Sequence, residues 1–276
     1  MDRLVNVLKR SDLELTENAR AVALRYANFT SQKSDAFLDF ASYHETDDAY
    51  EIAYYVWVIE STTGVTVVDS GFNPAATRPG RHVLTTITEA LRGIGIEPAD
   101  VKRLVLTHFH YDHIGNIDRF PNAEIIASED ELEFWNSRES LAPDYRSHID
   151  EIALDRVMIA HAEGRVTAIR SPHVVDGSHV VIPVGGHTPG QLVVVVRTQN
   201  GDRVLTSDAV HFYDELERRR PYAAKVRRRE DLDAAYDLIE ELAAAPGSEV
   251  VPGHDPKVHE RYPALGTDNN VAVLLG

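Results

Sequence analysis

Between Arg20 and Thr30 apolar residues alternate along the chain, the period of a β-strand. Two β-branched runs follow, Tyr54–Glu60 and Val65–Asp69. The Thr62-Thr63-Gly64 stretch between them reads as a hairpin. The period then changes. Val83, Leu84, Ile87, Leu91 and Ile94 fall at helical spacing and predict a helix over His82–Gly93. Arg103–Leu106 and Glu124–Ala127 are short strand candidates. Ser128-Glu129-Asp130-Glu131 has the form of a capping box opening a helix through Trp135, and Ser147–Glu163 is a second helix candidate. Strands return at Arg165–Ile169, His179–Pro183, Gln191–Thr198 and Arg203–Ser207, the last two joined through the hairpin signal Asn200-Gly201. An amphipathic helix, Glu230–Ala245, stops at Pro246-Gly247, and Glu249–Val251 is a last short strand. This order predicts an α+β protein in layers, two sheets covered by helices. The sequence has no repeat and no linker-like tract, so residues 1–276 read as a single domain.

Composition narrows the chemistry. Lys and Arg number 28 against 44 Asp and Glu, a formal net charge of −16, so a protein that coats nucleic acid or anionic membrane is not expected. There is no cysteine, which excludes disulfides, thiolate nucleophiles and thiolate metal ligands. Any metal must be held by His, Asp or Glu. No secretory signal and no spanning apolar run is visible, so the cytoplasm is the expected location.

The sharpest feature is Thr107-His108-Phe109-His110-Tyr111-Asp112-His113-Ile114-Gly115, just past a predicted strand. On a regular helix or strand its four potential ligands would not face one way, whereas on a loop leaving a strand they can converge. Downstream, Gly186-His187-Thr188-Pro189-Gly190, Ser207-Asp208-Ala209 and Pro252-Gly253-His254-Asp255 each place a ligand-type residue beside a strand end. Seven such groups satisfy two metals if one carboxylate is shared. Imidazole and carboxylate without thiolate suit Zn, Mn, Fe, Co or Ni, with Zn2+ first.

This ordered set, together with Val67-Val68-Asp69-Ser70-Gly71, resembles the metallo-β-lactamase superfamily over most of the chain. The resemblance implies an αββα sandwich with a dinuclear metal site on its rim. It implies that His108, His110 and His187 hold one ion and Asp112, His113 and His254 the other. Asp208 would bridge them, and Asp69 would orient ligands from behind. Within the superfamily the chain looks most like the N-acyl homoserine lactone lactonases. That implies opening of a lactone by a metal-bridging hydroxide, with Asp112 or Asp208 carrying the proton. Lactonases of this kind have a Tyr three residues after the bridging Asp; here the position is His211, a candidate oxyanion donor. Alternatives on the same site are a thioesterase of the glyoxalase II kind, a phosphodiesterase, an iron-dependent persulfide dioxygenase and a metal-free scaffold.

Weaker signals remain. Phe109, Tyr111, Phe212 and Tyr222 are candidates to line a substrate pocket, while Trp135 is expected to pack its helix. The basic run Arg218–Arg229 is either a clamp for a substrate carboxylate or, as charge runs usually are, a solvated face. The polar-aromatic stretch Tyr26–Tyr50 reads as a substrate loop or, equally, as a homodimer contact.

Overall fold

The computed structural model describes residue 13 and residues 15–223, 229–266 and 271–276. Their strands run in chain order β1 (Arg20–Gln32), β2 (Ala49–Ser61), β3 (Gly64–Val68), β4 (His82–Val83), β5 (Val101–Leu106), β6 (Glu124–Ser128) and β7 (Val166–Ile169), then β8 (His173–Asp176), β9 (His179–Pro183), β10 (Leu192–Thr198), β11 (Gly201–Ser207), β12 (Glu249–Pro252) and β13 (Ala272–Leu274). An eight-stranded mixed sheet has the order β13-β1-β2-β3-β5-β6-β7, with β4 paired to β1; a five-stranded mixed sheet has the order β12-β11-β10-β9-β8.

Alternation within strands assembles the layers. Ala21 and Ala23 of β1 and Tyr55, Trp57 and Ile59 of β2 face inward, against Val181, Leu192, Val194 and Val196 of the second sheet. Their neighbours Val22, Leu24, Val56 and Val58 face outward, into a core shared with the helices Ile87–Gly93 and Glu151–Ala162. On the far side Val193 and Val195 pack under Leu232, Tyr236 and Ile239 of the helix Arg229–Leu242. Strands buried on both faces are apolar throughout, and period two then separates two cores instead of core from solvent. The result is the αββα layering expected from the sequence. Among the described residues, no helix is long and apolar enough to cross a membrane.

Several boundaries differ from expectation for local reasons. His82–Val83 pairs with β1, and the helix waits until Ile87, where Thr86 and Glu89 form a capping box. The helix expected from Ser147 starts at Glu151, capped by the Asp150 carboxylate on the Ile152 and Ala153 amides. β8 carried no separate sequence signal. Tyr26–Tyr50 takes in the end of β1, the start of β2 and the connection between them, which is pinned where Leu38 N–H donates to Pro221 O (2.9 Å) and Ala223 N–H to Ala36 O (3.0 Å).

Among the polar ties that cross between the sheets is a buried histidine. His179 of β9 is fully buried, with Nε2 3.0 Å from Thr66 Oγ1 of β3 and Nδ1 2.9 Å from Ser178 Oγ. Burial drives its pKa down from 6.5 to about 4, against the pull of Asp176. The unfolded chain therefore takes up a proton below pH 6.5 that the folded protein refuses until about pH 4, and stability falls through that window as the pH drops, by at most about 3 kcal/mol. His179→Gln should lose less unfolding free energy than wild type between pH 7 and pH 4.5 in urea titrations; an equal loss would remove His179 as a source.

Candidate metal centre and its pocket

β3, β5 and β6 run parallel, as do β11 and β12, so their C-terminal ends open on one edge of the sandwich. Asp69 follows β3, His108 follows β5, Asp208 follows β11, His254 follows β12, and His187 lies between β9 and β10. His110 caps the short helix Tyr111–Ile114, which carries Asp112 and His113 in a single turn. Gly253 lets the β12 loop lie against the β11 loop, since a Cβ there would fall 2.4 Å from Ser207 O. The His254 amide then donates to His211 O (2.9 Å), which sets His254 beside Asp208.

These loops bring together two groups able to hold a metal ion, His108, His110, His187 and Asp208 in one and Asp112, His113 and His254 in the other, with the donor atoms of each within 4.8 Å of one another. Asp208 faces both. Its Oδ1 is 3.0 Å from His254 Nε2 and 3.2 Å from His113 Nε2, and its Oδ2 is 3.3 Å from His187 Nε2 and 3.7 Å from His108 Nε2. His187 Nε2 and His110 Nδ1 are 3.0 Å apart. Donors at the corners of a tetrahedral Zn site stand about 3.3 Å apart, so this spacing fits ligands sharing one ion. His108 Nε2 and His113 Nε2 are buried without a hydrogen-bond partner, a cost of about 1–3 kcal/mol each that a cation would remove. Burial, reinforced by neighbouring imidazoles, pushes the pKa of His108 and His110 well down; burial does the same to His187 against the pull of Asp208. All three are thus kept in the neutral, lone-pair form that ligates. At His113, burial is outweighed by the carboxylates of Asp208, Asp69 and Asp112, and its pKa is raised. Asp208 is also buried, but four facing imidazoles, His113 foremost, hold it well below the usual carboxylate range.

Groups behind the ligands fix their orientation. Asp69 Oδ2 lies 2.8 Å from His113 Nδ1, and Ala53 O lies 2.8 Å from His254 Nδ1, so each ring turns Nε2 toward the centre. Two buried glutamates, Glu131 and Glu215, do comparable work that no motif announces. Glu131 accepts from the Phe109 amide (3.1 Å), the Gly190 amide (3.0 Å) and Trp135 Nε1 (2.7 Å), tying the His108–His110 loop to the His187 loop. Gly190 has no room for a side chain, because a Cβ would sit 2.3 Å from Glu131 N. The capping-box reading of this stretch is therefore corrected: Ser128 makes no side-chain cap, and Glu131 turns to the ligand loops. Glu215 accepts from the amides of His211, Phe212 (2.9 Å) and Tyr222 (3.3 Å) and from the Tyr236 hydroxyl.

The donors open into a cavity of about 220 Å³ whose wall includes Tyr54, Arg78, Arg81, Tyr111, His148, His211 and Tyr222. His211 stacks on Tyr222 with 4.0 Å between ring centroids, and its Nε2 is 3.2 Å from Asp208 Oδ2. Burial opposes a charged His211, yet Asp208 and Glu215 hold its pKa up at about 9. Phe109 and Phe212, expected at the pocket, are instead fully buried in the core; Phe109 lies between two outward-facing ligands and turns the other way. Trp135 packs its helix, as expected. Of the two readings of the basic run, Arg218, Arg219 and Arg220 follow the solvated face and form no clamp. They pair with Asp214, Glu45, Asp237 and Glu240 on the surface, while residues 224–228 lie outside the described residues. Arg78, Arg81 and His148 reach the cavity with no motif to announce them; only the fold brings their loops there.

Glu131→Gln must turn an amide N–H toward a backbone or indole donor. It should cost about 1–3 kcal/mol of unfolding free energy and weaken metal binding about 10–100-fold, read by urea unfolding and metal titration. Unchanged metal affinity would show that the tie between the two loops is dispensable.

The chain matches the model of the metallo-beta-lactamase superfamily over residues 50–254. It is 28% identical over 233 residues to the N-acyl homoserine lactonase AttM of Azorhizobium caulinodans, covering 75% of this chain and 83% of that one. An N-acyl homoserine lactone hydrolase solved with the product N-hexanoyl-L-homoserine bound at its catalytic metal centre superposes with a TM-score of 0.69 at 18% identity, over 90% of this chain and 98% of the other. The hydrolase AbOPH superposes at 0.72 with 17% identity over 94% of both chains. At such identities the structural likeness speaks to the fold, and the family match spans most of the sequence. The chain belongs to the metallo-β-lactamase superfamily.

Proposed function

We propose that residues 1–276 form one hydrolase domain that opens a lactone, either an N-acyl homoserine lactone or a related cyclic ester, at a dinuclear metal site. The observation that carries this reading is Asp208, whose two oxygens face two separate sets of imidazoles. His108, His110 and His187 would hold one divalent ion, and Asp112, His113 and His254 the other, with Asp208 between them. Zn2+ is the first choice for an all-nitrogen-and-oxygen set, with Mn, Fe, Co or Ni as alternatives. Bound there, such ions supply a nucleophilic water at neutral pH and polarise an ester carbonyl. The lactonase relatives support the substrate class, as does the product-bound lactone hydrolase of like fold.

The residues of this chain do the rest. Asp208 has both oxygens engaged, so Asp112, which lines the cavity beside it, is the carboxylate placed to carry the proton to the leaving alkoxide. His211, fixed by stacking on Tyr222 and by the Glu215 carboxylate 3.3 Å from its Nδ1, presents an N–H where an ester oxygen gains charge. Tyr111 and Tyr222 wall the cavity, and burial pushes both phenols up, so they remain protonated hydrogen-bond donors.

Acid release from a panel of acyl homoserine lactones and of γ- and δ-lactones with and without a remote carboxylate, with a chelated control, tests the activity. Chelator-sensitive opening is expected. Silence in protein carrying two metals would sink the lactone assignment and turn attention to thioesters and phosphodiesters.

Two variants test the roles. Asp208→Ala should lose metal and turnover together; full activity with two ions bound would refute the shared carboxylate. His211→Phe should keep both ions while kcat falls about 10–1,000-fold. An unchanged kcat/KM would remove His211 from the chemistry.

A further inference from the structure

Arg78 and Arg81 reach the cavity wall from the loop between β3 and β4. Across the described surface, arginines such as Arg92, Arg156, Arg170 and Arg219 are matched by carboxylates within ion-pair distance. Among the described residues, these two are held by neutral groups only. The Arg78 guanidinium lies 3.8 Å from the Tyr111 ring centroid and donates to Ser147 O. Arg81 lies 4.1 Å from the Phe29 ring centroid, and it donates from Nε to Tyr54 Oη (3.2 Å) and from Nη1 to Pro79 O (2.9 Å). Asp35, the other acid on the cavity wall besides Asp112 and Asp208, is exposed and pairs with neither arginine.

The two cations are also close to the chemistry. Tyr54 Oη is 3.4 Å from Tyr111 Oη, the Tyr54 ring packs edge-on at 5.1 Å from the His254 ring, and Tyr111 precedes the ligand Asp112. Both guanidiniums therefore share one cavity wall with the metal-facing donors. Aromatic faces, a phenol and carbonyls position both heads without neutralising them, and most of their N–H donors have no partner among the described residues. A planar donor fork of this kind matches the oxygens of a carboxylate or phosphate. The cavity, about 220 Å³, is smaller than the 300–1,000 Å³ typical of drug-sized ligands.

We propose that Arg78 and Arg81 form an anion-recognition subsite and that the substrate is a compact lactone or ester. It carries a carboxylate or phosphate at the end remote from the scissile bond. This rests on the hydrolase reading above for the identity of the scissile group, and on the arginine pair alone for the anion. The chain's net charge of −16 opposes an anionic substrate at a distance, but exposed charges are screened beyond about 8 Å at physiological salt, and the local pair decides.

Binding of open-chain acids to the metal-loaded protein tests the subsite without requiring any lactone to be opened. Hexanoate offers one carboxylate; adipate adds a second at the far end; 6-phosphonohexanoate replaces that end with a phosphonate. By calorimetry adipate should bind at least tenfold more tightly than hexanoate, beyond the twofold expected from two equivalent ends. The double variant Arg78→Gln/Arg81→Gln should close that gap to the statistical twofold while retaining its metal content. The tighter of adipate and the phosphonate names the group recognised. Equal binding of hexanoate and adipate to wild type, after the statistical factor, would overturn the proposal. So would a gap that survives the double variant. A silent lactone panel alongside a wide adipate gap would refute the lactone reading and leave the anion subsite standing.

Discussion

A single buried carboxylate, Asp69, holds the ligand loops of the two sheets to one another. It accepts from the Thr107 amide and hydroxyl on the β5 loop (2.9 Å each) and from Ser207 Oγ at the end of β11 (3.0 Å), and it faces His113 Nδ1 at 2.8 Å. A buried carboxylate costs several kcal/mol unless its oxygens are filled, and here the filling groups come from two segments distant in sequence, the Thr107–His113 loop and Ser207. Its backbone is in the left-handed region, φ +63°, which a non-glycine residue holds only when its surroundings over-determine it. Folding of the sandwich and assembly of the site are therefore one event at this point. The strands deliver the donors, and the donors make the buried charge tolerable.

Glu131 and Glu215 extend the same logic outward. Neither faces the metal-binding donors as a ligand, and each joins two segments that do. Glu131 spans the loops of His110 and His187; Glu215 joins His211 to Tyr222 and to the covering helix through Tyr236. Backbone amides at loop tips have no sheet partner, so a carboxylate that accepts two or three of them satisfies orphan donors and sets loop spacing at once. What remains unsatisfied is the face turned to the centre, His108 Nε2 and His113 Nε2 among it. Hydrogen bonding is spent on orientation, and the lone pairs left over converge.

The layering and the seven donors were legible because both follow from short-range rules. Period two marks strands, and ligand residues past strand ends converge when those ends share an edge. Of the carboxylates behind them, Asp69 came with the resemblance, whereas the roles of Glu131 and Glu215 were illegible for the same reason. Glu131 looked like a helix-capping residue, because its position three after Ser128 satisfies the local pattern; only the approach of the Gly190 loop gives it another use. Phe109 was misread because neighbours in a loop do not share a direction: His108 and His110 turn to the centre, and the residue between them turns to the core. β8 is four residues long, too short for its own period to be recognised.

Charge shows the same gap between composition and field. The conspicuous basic residues Arg218, Arg219 and Arg220 are answered by surface acids, and exposed pairs of that kind contribute little. The inconspicuous Arg78 and Arg81 are separated in sequence from every ligand motif, yet they keep their charge because their contacts are rings, a phenol and carbonyls. The potential inside a cavity depends on which charges lack a counter-ion within reach, not on how many the chain carries. An acidic protein can thus present a cationic wall next to a centre built for divalent ions. Both then draw oxygen-rich groups into one small cavity, and such a cavity selects by the spacing of two polar groups more than by apolar fit.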